Sequence, residues 1–381
     1  MRFRRGSDNC PGDGGPLLTS SSSSYPTTSC RRRLVTLSVA IVTIFVLDEL
    51  RVRYLRHRQH NLLQYKCINY RNPYYLQPSQ LSSPPTPIEW FWQASYPGSG
   101  ADMHADLTRQ LTGHETAYTE DLDELAQLPG HTLAVKTHWP SIKYFYEGDR
   151  TPSPQFLPQF WRDVKISPDG DNDNNNNNKY DPRQYASRVL LLLRHPMDSI
   201  PSYFNAIYEE ENGIAGHSTH APLMEWVRWR DYNFNVQLMS WVNHTRYWLN
   251  YYPDAGRRYI SSYESITNGN DKYRKKSALK LARFVRQTSG VNTALLDNDD
   301  EVACTWHQVV VDSRGGTQRS TDTKDGDQTY VRPYDNSQLE RMEAELTKLK
   351  ADYEGRHNKD VAGILGVYLQ TLRDKRNDIA I

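Results

Sequence analysis

The stretch that decides the fold is IEWFWQASYPGSGADMHADLTRQLTG, residues 88–113. Ile88 to Tyr96 is dense in aromatic side chains and reads as a strand. Pro97-Gly98-Ser99-Gly100 interrupts it, and Met103, Leu107 and Leu111 then recur at a spacing of four before Gly113, the signature of one helix face. The order is strand, glycine turn, helix. His131 to Lys136 (HTLAVK) predicts a second strand, and Ser187 to Leu193 (SRVLLLL) a third whose unbroken apolar run suits a parallel strand covered on both faces. Arg258 to Ile260, followed by Tyr263 and Glu264, predicts a fourth strand and its exit. Lys276 to Arg286 and Asn336 to Tyr353 read as helices. Ala221 to Leu249, with Trp226, Trp229, Phe234, Leu238, Trp241 and Trp248 at near-helical spacing, reads as core-facing helices broken around Asp231 to Asn235. Strands alternating with helices imply an α/β domain built on a doubly wound parallel sheet flanked by helices.

The chain has 381 residues, 46 Lys+Arg against 45 Asp+Glu, 37% hydrophobic and 11% aromatic residues. The balanced charge speaks against a nucleic-acid partner, and the aromatic content is too high for a wholly disordered chain. Four cysteines, at 10, 30, 67 and 304, form no CxxC pair, so structural zinc and thioredoxin-type chemistry lack support. Residues 1–33 are rich in Gly, Ser, Pro, Thr and Arg and read as a disordered cytosolic tail. Leu34 to Leu47 (LVTLSVAIVTIFVL) is uncharged but shorter than the roughly 20 residues that span a bilayer, which by length alone fits a signal-peptide core or a buried helix. The long polar leader and the lack of a small-residue cleavage site favour an uncleaved signal anchor over 34–50, a single transmembrane span of type II orientation. Arginines on both flanks leave the positive-inside rule undecided, and the sequon Asn243-His244-Thr245 is compatible with a lumenal position. Residues 51–87 then read as a stem, and 88–381 as the single lumenal domain, with a solvated insertion at 171–178 (DNDNNNNN) and a long loop at 313–329. In that arrangement Cys67 and Cys304 share an oxidising lumen and are able to pair.

Chemistry concentrates at the strand exits. A glycine turn before a helix offers backbone N–H groups and the positive end of the helix dipole, which hold phosphate or sulfate oxygens. Pro97-Gly98-Ser99-Gly100 fits that geometry but lacks the GxxxxGK[ST] spacing of a nucleotide triphosphatase, and an ordinary structural turn fits it equally. The third strand ends in Arg194-His195-Pro196-Met197-Asp198 with Ser202 eight residues after Arg194, an arginine and a hydroxyl able to clamp a second phosphate. The second strand leaves as Lys136-Thr137-His138-Trp139-Pro140, an ammonium and an imidazole on the edge where open α/β sheets bind ligands. Each of these has a bland structural reading when taken alone.

Together, the order and spacing of these pieces resemble the sulfotransferases that use 3′-phosphoadenosine-5′-phosphosulfate (PAPS). The resemblance covers about Glu89 to Tyr353. SYPGSGADM (Ser95 to Met103) is similar to the family's YPxSGTTW loop, which cradles the 5′-phosphosulfate. Lys136-Thr137-His138-Trp139-Pro140 matches the KTHxP segment that carries the catalytic base, Arg194 and Ser202 match its 3′-phosphate pair, and Tyr263-Glu264 looks like its YE pair near the adenine. The resemblance implies a P-loop-like domain in which His138 is the base and Lys136 stabilises charge. Pro97, Gly98, Ser99, Gly100, Ala101, Asp102, Arg194, Ser202, Tyr263 and Arg314 then bind PAPS, with no metal required. It also implies a carbohydrate or glycoprotein acceptor in the Golgi, the usual company of anchored members.

The departures bear on activity. The family places a lysine or arginine where Gly98 stands, hydroxyls where Ala101 and Asp102 stand, and an aromatic where Met103 stands. A carboxylate at Asp102 repels a dianion unless it points away or caps the helix. Its C-terminal GxxGxxK segment has no clear counterpart, Arg314-Gly315-Gly316 being the nearest. A non-catalytic protein of the same fold that binds a glycan or protein partner is the alternative reading, and the missing GK[ST] argues against a phosphate-transferring kinase.

Overall fold

The computed structural model describes residues 51, 67, 88–118, 132–139, 181–214, 220–267, 271–291, 294–312, 334–354 and 358–379. The expected tail, membrane span, insertion at 171–178 and loop at 313–329, with Arg314, lie outside these residues. Among the described residues no helix is long and apolar enough to cross a membrane. The fold described is that of the unit Arg58–Ile381. Cys67, within the segment expected to be a stem, is buried and joined by a disulfide to Cys304, so the folded unit takes in part of that segment.

Five strands, β1 (Phe91–Ser95), β2 (Glu115–Tyr118), β3 (Thr132–Thr137), β4 (Val189–Leu193) and β5 (Arg258–Ser262), form one sheet in the order β2-β3-β1-β4-β5. Every neighbouring pair is parallel. Parallel strands need crossovers, and those from β1 to β2 and from β4 to β5 are helical. α1 (Ala101–Thr112) follows β1, α2 (Pro196–Glu211) and α3 (Leu223–Tyr251) follow β4, and α4 (Tyr263–Thr267), α5 (Asp271–Arg286) and α6 (Asp299–Trp306) follow β5. α7 (Asn336–Glu354) and α8 (Lys359–Ile379) close the chain as a packed pair.

Side chains alternate across a strand, and the run VLLLL of β4 uses both faces. Val189, Leu191 and Leu193 join the cluster under α2, α3, α7 and α8, whereas Leu190 and Leu192 join the one under α1, α5 and α6. All five are buried, and full burial of such a side chain stabilises by roughly 1.5–3 kcal/mol. The sheet is thus covered on both sides.

Several elements differ from the sequence reading. The break expected around Asp231 to Asn235 is absent, and α3 runs unbroken from Leu223 to Tyr251. Asp231, Tyr232 and Asn235 simply lie on its exposed face, between buried Trp229, Asn233 and Phe234. The sequon Asn243-His244-Thr245 falls inside this helix, where Thr245 is buried and its hydroxyl donates to the Trp241 carbonyl at 3.0 Å. It therefore lends nothing to a lumenal placement. β2, α6 and α8 had no counterpart in the sequence reading, and β5 extends two residues past Ile260.

Candidate functional site

Because all five strands are parallel, the exits of β1, β3, β4 and β5 share one edge, with β1 between β3 and β4. This is the position at which open α/β sheets bind ligands. Two α3 indoles fix it from below. Trp241 Nε1 donates to the Arg194 carbonyl at 3.1 Å and Trp248 Nε1 to the Trp139 carbonyl at 2.6 Å, tying the β4 and β3 exits to one rigid helix.

The turn after β1 closes through Ser99 N–H to the Tyr96 carbonyl at 3.2 Å. Gly98 has φ 78° and Gly100 φ 85°, the left-handed region that glycine alone enters without cost. Space forbids a side chain as well. A Cβ at position 98 would stand 2.5 Å from the Ser199 carbonyl oxygen and 3.0 Å from Ser202 Cβ, and one at 100 would stand 2.6 Å from the Tyr263 ring. The lysine or arginine usual in the resembling family therefore cannot be accommodated at 98 with this backbone. Gly100 also caps α1, whose N-terminus has no side-chain cap, and the Ala101 carbonyl accepts from Gln93 Nε2 at 2.8 Å.

The elements that the sequence placed together do meet. Arg194 Nη1 donates to the Gly98 carbonyl at 2.8 Å, and its guanidinium carbon lies 4.2 Å from the Tyr263 ring centre. Glu264 braces them: its carboxylate accepts from His195 N–H at 2.6 Å, Ser262 Oγ at 2.7 Å and Tyr368 Oη at 2.8 Å. Three buried polar atoms of these segments, Ser99 Oγ, Ser199 Oγ and Arg194 Nε, have no hydrogen-bond partner among the described residues. An orphaned buried donor costs about 1–3 kcal/mol, and an anion at this turn would relieve it.

The β3 exit forms the other end. His138 Nδ1 lies 2.8 Å from the Ser95 carbonyl oxygen and 3.2 Å from Ser95 Oγ. A carbonyl only accepts, so Nδ1 carries the hydrogen and Nε2 the lone pair, the tautomer suited to a proton acceptor. Lys136 Nζ is 2.7 Å from Asp102 Oδ1. The carboxylate does not point away from the site; it stands in the first turn of α1 and pairs with the cation of the neighbouring strand.

Two further histidines surround the exits. His104 is fully buried between the Gly100 carbonyl at 2.9 Å and Ser261 Oγ at 2.8 Å, and burial lowers its pKa to about 4. His244 is fully buried with neither ring nitrogen partnered among the described residues; burial, and next the nearby His138, lower its pKa to about 3.

No family model matches the chain, and no curated protein matches it. Among the described residues no group of three or more His, Cys, Asp or Glu side chains could hold a metal ion. Of the residues singled out in the sequence, Pro97 through Asp102, Lys136, His138, Arg194, Ser202 and Tyr263 lie on the segments of this one edge, whereas Arg314 lies outside the described residues. Sequence reasoning passed over Ser199, which lies on the face of α2 that touches the loop and is marked by no local sequence pattern.

Proposed function

We propose that this protein is a sulfotransferase with a P-loop-like doubly wound domain, moving a sulfuryl group from PAPS to a hydroxyl or amine of a carbohydrate or glycoprotein. The observation that carries the reading is the Arg194 fork laid across the Gly98 carbonyl and the Tyr263 ring. It joins the turn, the β4 exit and the β5 exit in the order that the resemblance implies. The orphaned Ser99, Ser199 and Arg194 atoms fit a phosphorylated ligand at that turn.

PAPS would supply the activated sulfuryl group. Arg194, Ser202 and Tyr263 hold the nucleotide end, and Pro97 through Asp102 with the α1 N-terminus face the other. His138, oriented by Ser95, takes the acceptor's proton on Nε2, and Lys136 stabilises charge developing on the departing oxygens. The acceptor class and a Golgi membrane location, with one N-terminal span, rest on the uncharged Leu34 to Leu47 run and on analogy. The Cys67–Cys304 disulfide supports an oxidising compartment.

The test is transfer of radiolabelled sulfate from PAPS to a panel of glycans by the full chain, with His138→Ala beside it. Label in the wild-type products and none in the variant is the expected result; equal labelling by both sinks the assignment of His138. One observation favours a second reading, a non-catalytic protein that binds a glycan or protein partner: Asp102 already occupies the ammonium of Lys136.

A further inference from the structure

We propose that Asp102 sets the anion affinity of this site by serving as the built-in counter-ion of Lys136, which an incoming anion must displace. The inference deepens the sulfuryl-transfer reading and rests on it. The two partners are unequally placed. The Lys136 side chain is 15% exposed at the β3 exit, whereas Asp102 is 61% exposed on the first turn of α1. The lysine is the more enclosed partner and the carboxylate the more solvent-facing one, so the carboxylate is the partner able to swing into water. Ion pairs with one partner so exposed are weak, and this one can be broken at small cost.

Asp102 also lies at the positive end of the α1 dipole. It therefore occupies both attractions that an anion at the loop would use, the ammonium and the helix N-terminus. Gly98 cannot supply a replacement cation, because its φ of 78° and the Ser199 carbonyl 2.5 Å from a Cβ exclude a side chain there. An anion that enters must either displace the carboxylate or bind beside a neutralised lysine.

Asp102→Asn keeps the size of the side chain and removes its charge. Calorimetric titration of the full chain with adenosine 3′,5′-bisphosphate should then show binding about fivefold tighter, the upper end of what an exposed ion pair commands. The gain should shrink in a Lys136→Ala background, where only through-space repulsion is left to remove. Because Asp102 is exposed, its variant should melt within a few degrees of wild type, which checks the fold. Unchanged affinity in Asp102→Asn, alongside weakened binding in Arg194→Ala, overturns the counter-ion role and leaves the sulfuryl-transfer reading standing. An equal gain with and without Lys136 also overturns it, since Asp102 would then act by repulsion alone. No binding of the bisphosphate by any variant or by wild type removes both.

Discussion

The two ends of the candidate site are built to different standards. At the Arg194 end, a half-buried guanidinium is fixed by the Gly98 carbonyl and the Tyr263 ring, its own carbonyl is held by Trp241, and Glu264 next door accepts three hydrogen bonds. At the Lys136 end, the ammonium is paired with a carboxylate that faces water. The first end is organised before any ligand arrives, so binding there loses little conformational freedom. The second must rearrange. Such a division suits a site that gains its affinity from a nucleotide and keeps the reacting end adjustable, since uniform tight binding does not by itself speed chemistry.

The largest effect that would sharpen this contrast belongs to His138. His138→Ala should slow transfer by about 10²- to 10⁴-fold while leaving bisphosphate affinity unchanged, because in the proposed reaction the imidazole acts on the acceptor. A matching loss of nucleotide affinity would move His138 to the binding end and erase the division.

Acid comes next. His104 joins the first turn of α1 to β5, and burial lowers its pKa to about 4 from the ordinary value near 6.5. The unfolded chain binds more protons between these values, so stability is full above about pH 6.5 and falls as the pH drops toward 4. The shift corresponds to a loss on the order of 3 kcal/mol. Urea midpoints measured between pH 7 and 4.5 should fall steadily; a flat profile would show that His104 is not buried neutral and that the loop's anchorage differs from this account.

Gly98→Ala should cost about 1–3 kcal/mol of stability from its positive φ, and more from the contact with the Ser199 carbonyl. It should also weaken bisphosphate binding, because the displaced carbonyl of residue 98 is the one that Arg194 holds. A wild-type melting temperature together with wild-type affinity would mean that the turn is softer than the Arg194 end requires.

Much of this edge was legible in the sequence because its parts are local. The turn announces itself through Gly98 and Gly100, and β4 through five successive apolar residues, each signal lying within a few positions. What escaped was set by tertiary packing. β2 (ETAY) is a four-residue strand at the sheet edge with no alternation long enough to read. The polar Asp231 to Asn235 segment looks like a break until the exposed side of α3 is known. The Lys136–Asp102 pair joins residues 34 apart in sequence, and no local pattern encodes it.

Binding of a phosphorylated nucleotide at the preorganised end is decided by calorimetry with adenosine 3′,5′-bisphosphate on wild type and Arg194→Ala. A lost charge-assisted phosphate contact is worth about 1.5–3 kcal/mol, so the wild-type chain should bind measurably and the variant with affinity roughly 10- to 150-fold weaker. Equal affinities, or no binding by the wild type, would contradict it.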